Sequence, residues 1–180
     1  VRIPTIEQLV AALSHHGYVV PDGLHLVALR KRGGALDAFD DMLCVVDGDE
    51  RLVHACRCTT DPGLAHRQKP MNADGCAVWA VGQVVDGLGF GKHKGEYSCL
   101  VPVRPIPVLR YSSVADITGT PSTSRTTQIH RASATRESSV VGAWSAGCIV
   151  VANPSDLAKV MEACRASGQT RFTVTLVEWS

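Results

Sequence analysis

The sequence predicts a mainly β fold of the α+β kind, and three observations predict it. Over most of the chain, apolar residues fall in short runs separated by turn chemistry. Only two stretches combine helical spacing with a start signal, one at Thr5 and one at Asn153. No internal repeat and no interdomain linker divides the 180 residues, so they read as one domain, 1–180, with 1–20 as an N-terminal helical extension.

The elements follow in order. Thr5 is placed to cap a helix and Gln8 to complete a capping box, with Leu9, Ala12 and Leu13 on one face and Gly17 beyond the end. From Leu24 to Leu29 the pattern becomes a strand, and Lys31-Arg32-Gly33-Gly34 is a turn or loop. Met42–Val46 and Arg51–Ala55 flank Asp47-Gly48 and resemble a hairpin. Cys76–Val85 and Ser98–Val103 are expected to be one strand each, while Pro102, Pro105 and Pro107 favour edge or extended backbone. Residues 112–139, rich in Ser, Thr and Arg, read as a long loop or lid, with a short strand-like stretch at Gln128-Ile129-His130. Asn153-Pro154 opens a second helix with Leu157, Val160, Met161 and Cys164 on one face and Gly168 at its end, and Arg171–Trp179 alternates as a last strand.

Composition excludes several classes of function. With 45% hydrophobic and 19% charged residues the chain is globular rather than disordered. A net charge of +1 argues against a general nucleic-acid binder, and no apolar run is long enough to span a bilayer. The start Val1-Arg2-Ile3-Pro4-Thr5 lacks the pattern of a signal peptide, so the expectation is synthesis in the cytoplasm without one. The seven cysteines are odd in number, and reduced thiols are the simpler reading.

One constellation carries chemistry. His130 is followed by Trp144-Ser145-Ala146-Gly147-Cys148 in an apolar frame. A thiol needs a base or a depressed pKa to attack at neutral pH, and His130 can be that base. Gly147 and Ala146 let a substrate approach closely, and backbone N–H groups around Gly147 and Cys148 can face it. Ser145 is expected to orient the histidine or line that hole. Arg104, Arg110, Arg125, Arg131 and Arg136 outnumber the acids between residues 104 and 137, and Arg131, beside the base, is the first choice to hold a substrate carboxylate.

Other motifs lead elsewhere. Gly87-Leu88-Gly89-Phe90-Gly91-Lys92-His93 lacks the Ser/Thr and the spacing of a phosphate loop, leaving His93 either in the cleft or on a surface loop. His54, Cys56 and Cys58 with Cys44 and Cys76 are a weak zinc pattern, and Cys44 and Cys76 read as core, so no metal is expected. Of the acids between Asp37 and Glu50, Asp47 suits a hairpin turn, and Asp40-Asp41 an exposed loop or a partner for basic residues.

The stretch Ile129-His130, then Ser145-Ala146-Gly147-Cys148-Ile149, resembles the signature of the L,D-transpeptidase catalytic domain, the YkuD-like family. The resemblance covers residues 128–150 and extends loosely to Thr59-Thr60-Asp61-Pro62-Gly63. It implies a β-sandwich with the N-terminal helix and the helix after the cysteine added to it. It also implies a peptidoglycan stem peptide as substrate, no cofactor, Cys148 as nucleophile and His130 as its activator. Trp144, Ala146, His93 and Arg131 would line the substrate site. Three positions depart from the family pattern: Arg131 stands where it usually has Gly, Ala146 where it often has His, and Val150 where it usually has Arg. Without the last arginine, and with an apolar pair after the cysteine as in phage-type members, the expectation is an endolysin-like stem-peptide hydrolase. It would be a carboxypeptidase or endopeptidase working through a thioester at the bacterial cell wall or periplasm. It is expected to be a monomer without nucleic-acid or membrane partners. Cross-linking by an L,D-transpeptidase and a non-catalytic wall-binding module are the alternatives.

Overall fold

A computed structural model describes residues 2–179; Val1, with which the reading for a leader begins, lies outside them. In chain order the elements are α1 (Ile6–His15), β1 (His25–Lys31), β2 (Asp41–Val46), β3 (Leu52–Thr59), α2 (Leu64–Gln68), β4 (Cys76–Trp79) and β5 (Gly82–His93). They continue with β6 (Tyr97–Pro102), β7 (Ile106–Tyr111), β8 (Thr120–Ser124), β9 (Ile129–Arg131), β10 (Ile149–Val151), α3 (Pro154–Ala166) and β11 (Arg171–Trp179). The fold is mainly β, as expected, and has two sheets. Eight strands close on themselves in the order β1-β11-β5-β6-β9-β10-β3-β2, and β4-β7-β8 form a separate three-stranded sheet.

The local signals explain most of these elements. Thr5 Oγ1 accepts from the Gln8 N–H at 3.3 Å and Gln8 Oε1 accepts from the Thr5 N–H at 3.0 Å, so the capping box forms. Leu9 and Leu13 of α1 are buried against Val27, Leu29, Met42 and Val177 on the outside of the ring. Asp47 ties the β2–β3 turn by accepting from the N–H groups of Asp49 and Arg51. In α3 the Asn153 side chain caps Ser155, and Leu157, Val160, Met161 and Cys164 enter the main core with Leu26, Leu43, Leu88 and Phe172.

Several expectations are corrected. Cys76–Val85 is not one strand: β4 ends at Trp79, and the chain re-enters the other sheet at Gly82, whose φ is +156°. The glycine string 87–93, left without an element by the sequence, belongs to β5; at Gly91 a Cβ would come within 2.5 Å of the Val101 side chain on β6. Residues 112–139 contain a strand, β8, beside the expected β9. Pro107 has the extended backbone expected of it, but within β7, the middle strand of its sheet and not an edge. Its carbonyl accepts from Ala80, just past the last β4 pair Trp79–Val108, so its missing N–H falls where β4 has ended and breaks no ladder bond. Asp41 is buried rather than exposed, accepting from the Thr60 N–H and hydroxyl, both at 2.7 Å, and from the Lys31 N–H at 2.8 Å.

All seven cysteines are free, and every one except Cys148 is buried. Among the described residues, no helix is long and apolar enough to cross a membrane, and no three His, Cys, Asp or Glu side chains converge as metal ligands.

Candidate active site

The site is organised by one short parallel pairing. β9 and β10 run side by side with Ile129 opposite Ile149 and His130 opposite Val150. Side chains alternate along a strand, so Ile129, Ile149 and Val151 enter the barrel core and anchor both segments. Gln128, His130 and Cys148 are thereby turned to the opposite face, where the histidine and the thiol line the same cavity of about 520 Å³. Neighbouring strands are about 4.8 Å apart and rise about 3.3 Å per residue, so residues 130 and 148 are diagonal neighbours.

The imidazole is fixed by its surroundings. His130 Nδ1–H donates to its neighbour's carbonyl, Arg131 O, at 2.8 Å, and the Tyr97 hydroxyl donates to the same oxygen at 3.3 Å. This leaves Nε2 as the unprotonated nitrogen, the form a general base requires. The His93 ring stacks on His130 with centroids 4.0 Å apart, and His93 Nδ1 donates to Gln128 Oε1 at 2.8 Å. His93 therefore lines the cleft and is not a surface-loop residue. Burial holds the His130 pKa down to about 4; the Arg131 carbonyl opposes this, while His93, Lys94 and Arg131 add to it.

The turn from Ser145 to Cys148 is equally determined. Gly147 has φ +128°, and a Cβ there would come within 2.6 Å of the Ala77 carbonyl of β4, so only glycine fits. Ser145 is fully buried; its hydroxyl donates to the Cys148 carbonyl at 2.8 Å and accepts from the Gly147 N–H at 3.2 Å. Ser145 thus braces the turn, and among the described residues its hydroxyl bonds only the Cys148 carbonyl and the Gly147 N–H. The Gly147 N–H is also taken, whereas the Cys148 N–H donates to no group among the described residues. Cys148 Sγ accepts from the Gln128 N–H at 3.3 Å; burial pushes the thiol pKa up and that bond pulls it back more weakly. With the thiol raised and the imidazole lowered, the resting pair is neutral.

The remaining expected residues divide between lining and surface. Ala146 and Cys148 line both the 520 Å³ cavity and a second one of about 330 Å³, so the thiol sits where the two meet. Arg131 and Trp144 line the larger cavity; the Arg131 guanidinium lies 3.9 Å from the Tyr97 ring centroid. The Gly63 N–H donates to the Ser145 carbonyl at 2.9 Å, so the turn from Thr59 to Gly63 abuts the loop that carries Cys148.

Several site residues escaped the sequence reading. Tyr97, His66 and Met71 line the larger cavity, and Met71, Arg110 and Thr127 the smaller one. Asp37, with φ +66°, accepts from the N–H groups of Leu64 at 3.0 Å and Gly142 at 2.7 Å, clamping two cleft segments together. Only Arg110 carried a signal, as a member of the arginine-rich stretch. No family model, no curated protein and no solved structure matches the chain.

Proposed function

We propose that the chain is a cysteine-dependent hydrolase of peptidoglycan stem peptides, on an L,D-transpeptidase-type variant of its β-rich fold. The observation that carries the reading is the shared cavity of His130 and Cys148, with Nδ1 of the base occupied by a backbone carbonyl and Nε2 left free. The resemblance of residues 128–150 to the L,D-transpeptidase signature supplies the substrate class.

The reaction starts from the neutral pair. His130 Nε2 takes the thiol proton as Cys148 Sγ attacks the peptide carbonyl, and the oxygen gains the negative charge. The Cys148 N–H, which has no acceptor among the described residues, donates to that oxygen; one such donor is typically worth about 2.7–4 kcal/mol. Collapse of the adduct breaks the C–N bond, and the imidazolium returns its proton to the departing amine, leaving a thioester on Cys148. His130 then deprotonates a water molecule, which attacks the thioester, and the thiol is regenerated. The Arg131 carbonyl and the Tyr97 hydroxyl are positioning groups that hold the ring through this cycle. An amine in place of water would give transpeptidation.

The test is digestion of purified peptidoglycan by the wild type and by Cys148→Ala, with released fragments identified by mass spectrometry. The wild type is expected to trim or cut stems and the variant to leave them intact. Equal products from both would refute the mechanism, and new cross-links would replace hydrolysis with transpeptidation.

A further inference from the structure

We propose that the 330 Å³ cavity beside Cys148 is a carboxylate-binding subsite, with Arg110 as its cation and Thr127 as its hydroxyl donor. If so, the bond cut is the one carrying the substrate's C-terminal residue. The proposal rests on the reading above and deepens it, choosing carboxypeptidase over endopeptidase.

The placement of Arg110 follows from strand alternation. On β7, Ile106 and Val108 face the core, and Arg110 continues the same row opposite Ala77. An arginine at an inward position is costly unless it meets an anion. Arg110 forms no salt bridge with any carboxylate of the described residues. Its Nη1 donates to the Gly75 carbonyl at 3.1 Å, while its Nε is buried without a partner.

Thr127 gives the second, independent observation. It is 4% exposed, lines the same cavity, and its Oγ1 is buried with no hydrogen-bond partner. Asn72, Ser124 and Thr126 add polar groups to the lining, and no acid does. A buried hydroxyl and a buried guanidinium N–H both lack an acceptor, and the charge of the guanidinium favours an anionic one. At about 330 Å³ the cavity is at the small end of the range for ligand sites, about 300–1,000 Å³, which suits one small residue and its carboxylate rather than a continuing chain. Because Cys148 lines its edge, a residue anchored there by its carboxylate presents its own amide to the thiol. Arg110 would thus do, from another strand, the work of the arginine that Val150 displaces.

Binding and turnover are tested separately. N-acetyl-D-alanine and N-acetyl-D-alaninamide are titrated into the wild-type chain while the Thr127 amide and Arg110 Nε–H resonances are followed by NMR. The acid is expected to shift both and to bind at least about tenfold more tightly than the amide. Arg110→Gln and Thr127→Val are each expected to weaken the acid by about tenfold without changing the amide, and Arg110→Lys to retain part of the preference. Equal binding of acid and amide by the wild type, or shifts away from these two residues, overturns the subsite whatever the variants do. Stem tetrapeptides ending in a free acid or an amide then separate the two readings. Cleavage of both at equal rates removes the subsite and keeps the hydrolase. Acid-selective binding without any cleavage keeps the subsite and removes the hydrolase.

Discussion

The depressed pKa of His130 makes the stability of the fold depend on pH in a calculable way. The unfolded imidazole takes up its proton near 6.5 and the folded one near 4. Between those values the unfolded state binds more protons, so stability rises with pH across the window and falls as pH drops through it. The contribution is fully present above pH 6.5. The shift of about 2.5 units, at 1.36 kcal/mol each, amounts to about 3 kcal/mol lost by pH 4. His130→Asn is the perturbation of choice. Its side-chain amide retains a donor near the Nδ1 position for the Arg131 carbonyl but does not titrate. Urea midpoints of wild type and variant at pH 7.5, 6, 5 and 4 provide the assay. Loss of ring packing against His93 lowers the variant by a constant amount, whereas the difference between the two proteins is expected to shrink by about 3 kcal/mol from pH 7.5 to pH 4. Burial also lowers His25 and His54 and raises Asp41, but these contributions are common to both proteins and drop out of the difference. A difference that stays constant with pH, or an imidazole that titrates near 6.5 by NMR, would refute the buried neutral base.

The other predictions concern the thiol and its turn. Native protein treated with iodoacetamide should take up label at Cys148 alone, since the other six cysteines are buried, at a rate still climbing above pH 9; peptide mapping showing other labelled sites, or a plateau below pH 8, would contradict this. Gly147→Ala should abolish hydrolysis and cost about 1–3 kcal/mol in a thermal melt, because its Cβ meets the Ala77 carbonyl. Ser145→Ala should cost about 1–3 kcal/mol, since it orphans the buried Gly147 N–H, while leaving the NMR titration of His130 unchanged; a shifted titration would mean that Ser145 contacts the base after all. Asp37→Ala should raise hydrogen exchange at Leu64 and Gly142 before the barrel amides, and uniform exchange would argue against a local clamp.

What the sequence disclosed was what neighbours in the chain decide. The capping box at Thr5, the cap at Asn153, the Asp47 turn and the strand Arg171–Trp179 all act within a few residues and were legible. The five-residue α2 was not, because Gly63 offers no side-chain cap and Leu64–Gln68 no repeated apolar face. The break between β4 and β5 was hidden because both halves are apolar, and only their different partners separate them. His130 and Cys148 were legible as residue types in a pattern. The groups around them were not: Tyr97 of β6 and His66 of α2 reach the larger cavity through contacts that no local spacing records. Asp41 misled because a carboxylate is ordinarily exposed, and its three donors come from β1 and from the end of β3.

The β9–β10 pairing has a consequence for how such a site can vary. His130 and Cys148 are held in relation by Ile129 and Ile149 plugged side by side into the core, not by the chain between them. The exposed stretch from Ala134 to Glu137 can therefore grow or shrink without moving His130 relative to Cys148, provided Ser145, Gly147 and the Asp37 clamp stay in place. Linear distance between the two residues is then a loose descriptor of the site. The tighter one is a register: an apolar residue just before the histidine and another just after the cysteine, facing each other across one pair of strands.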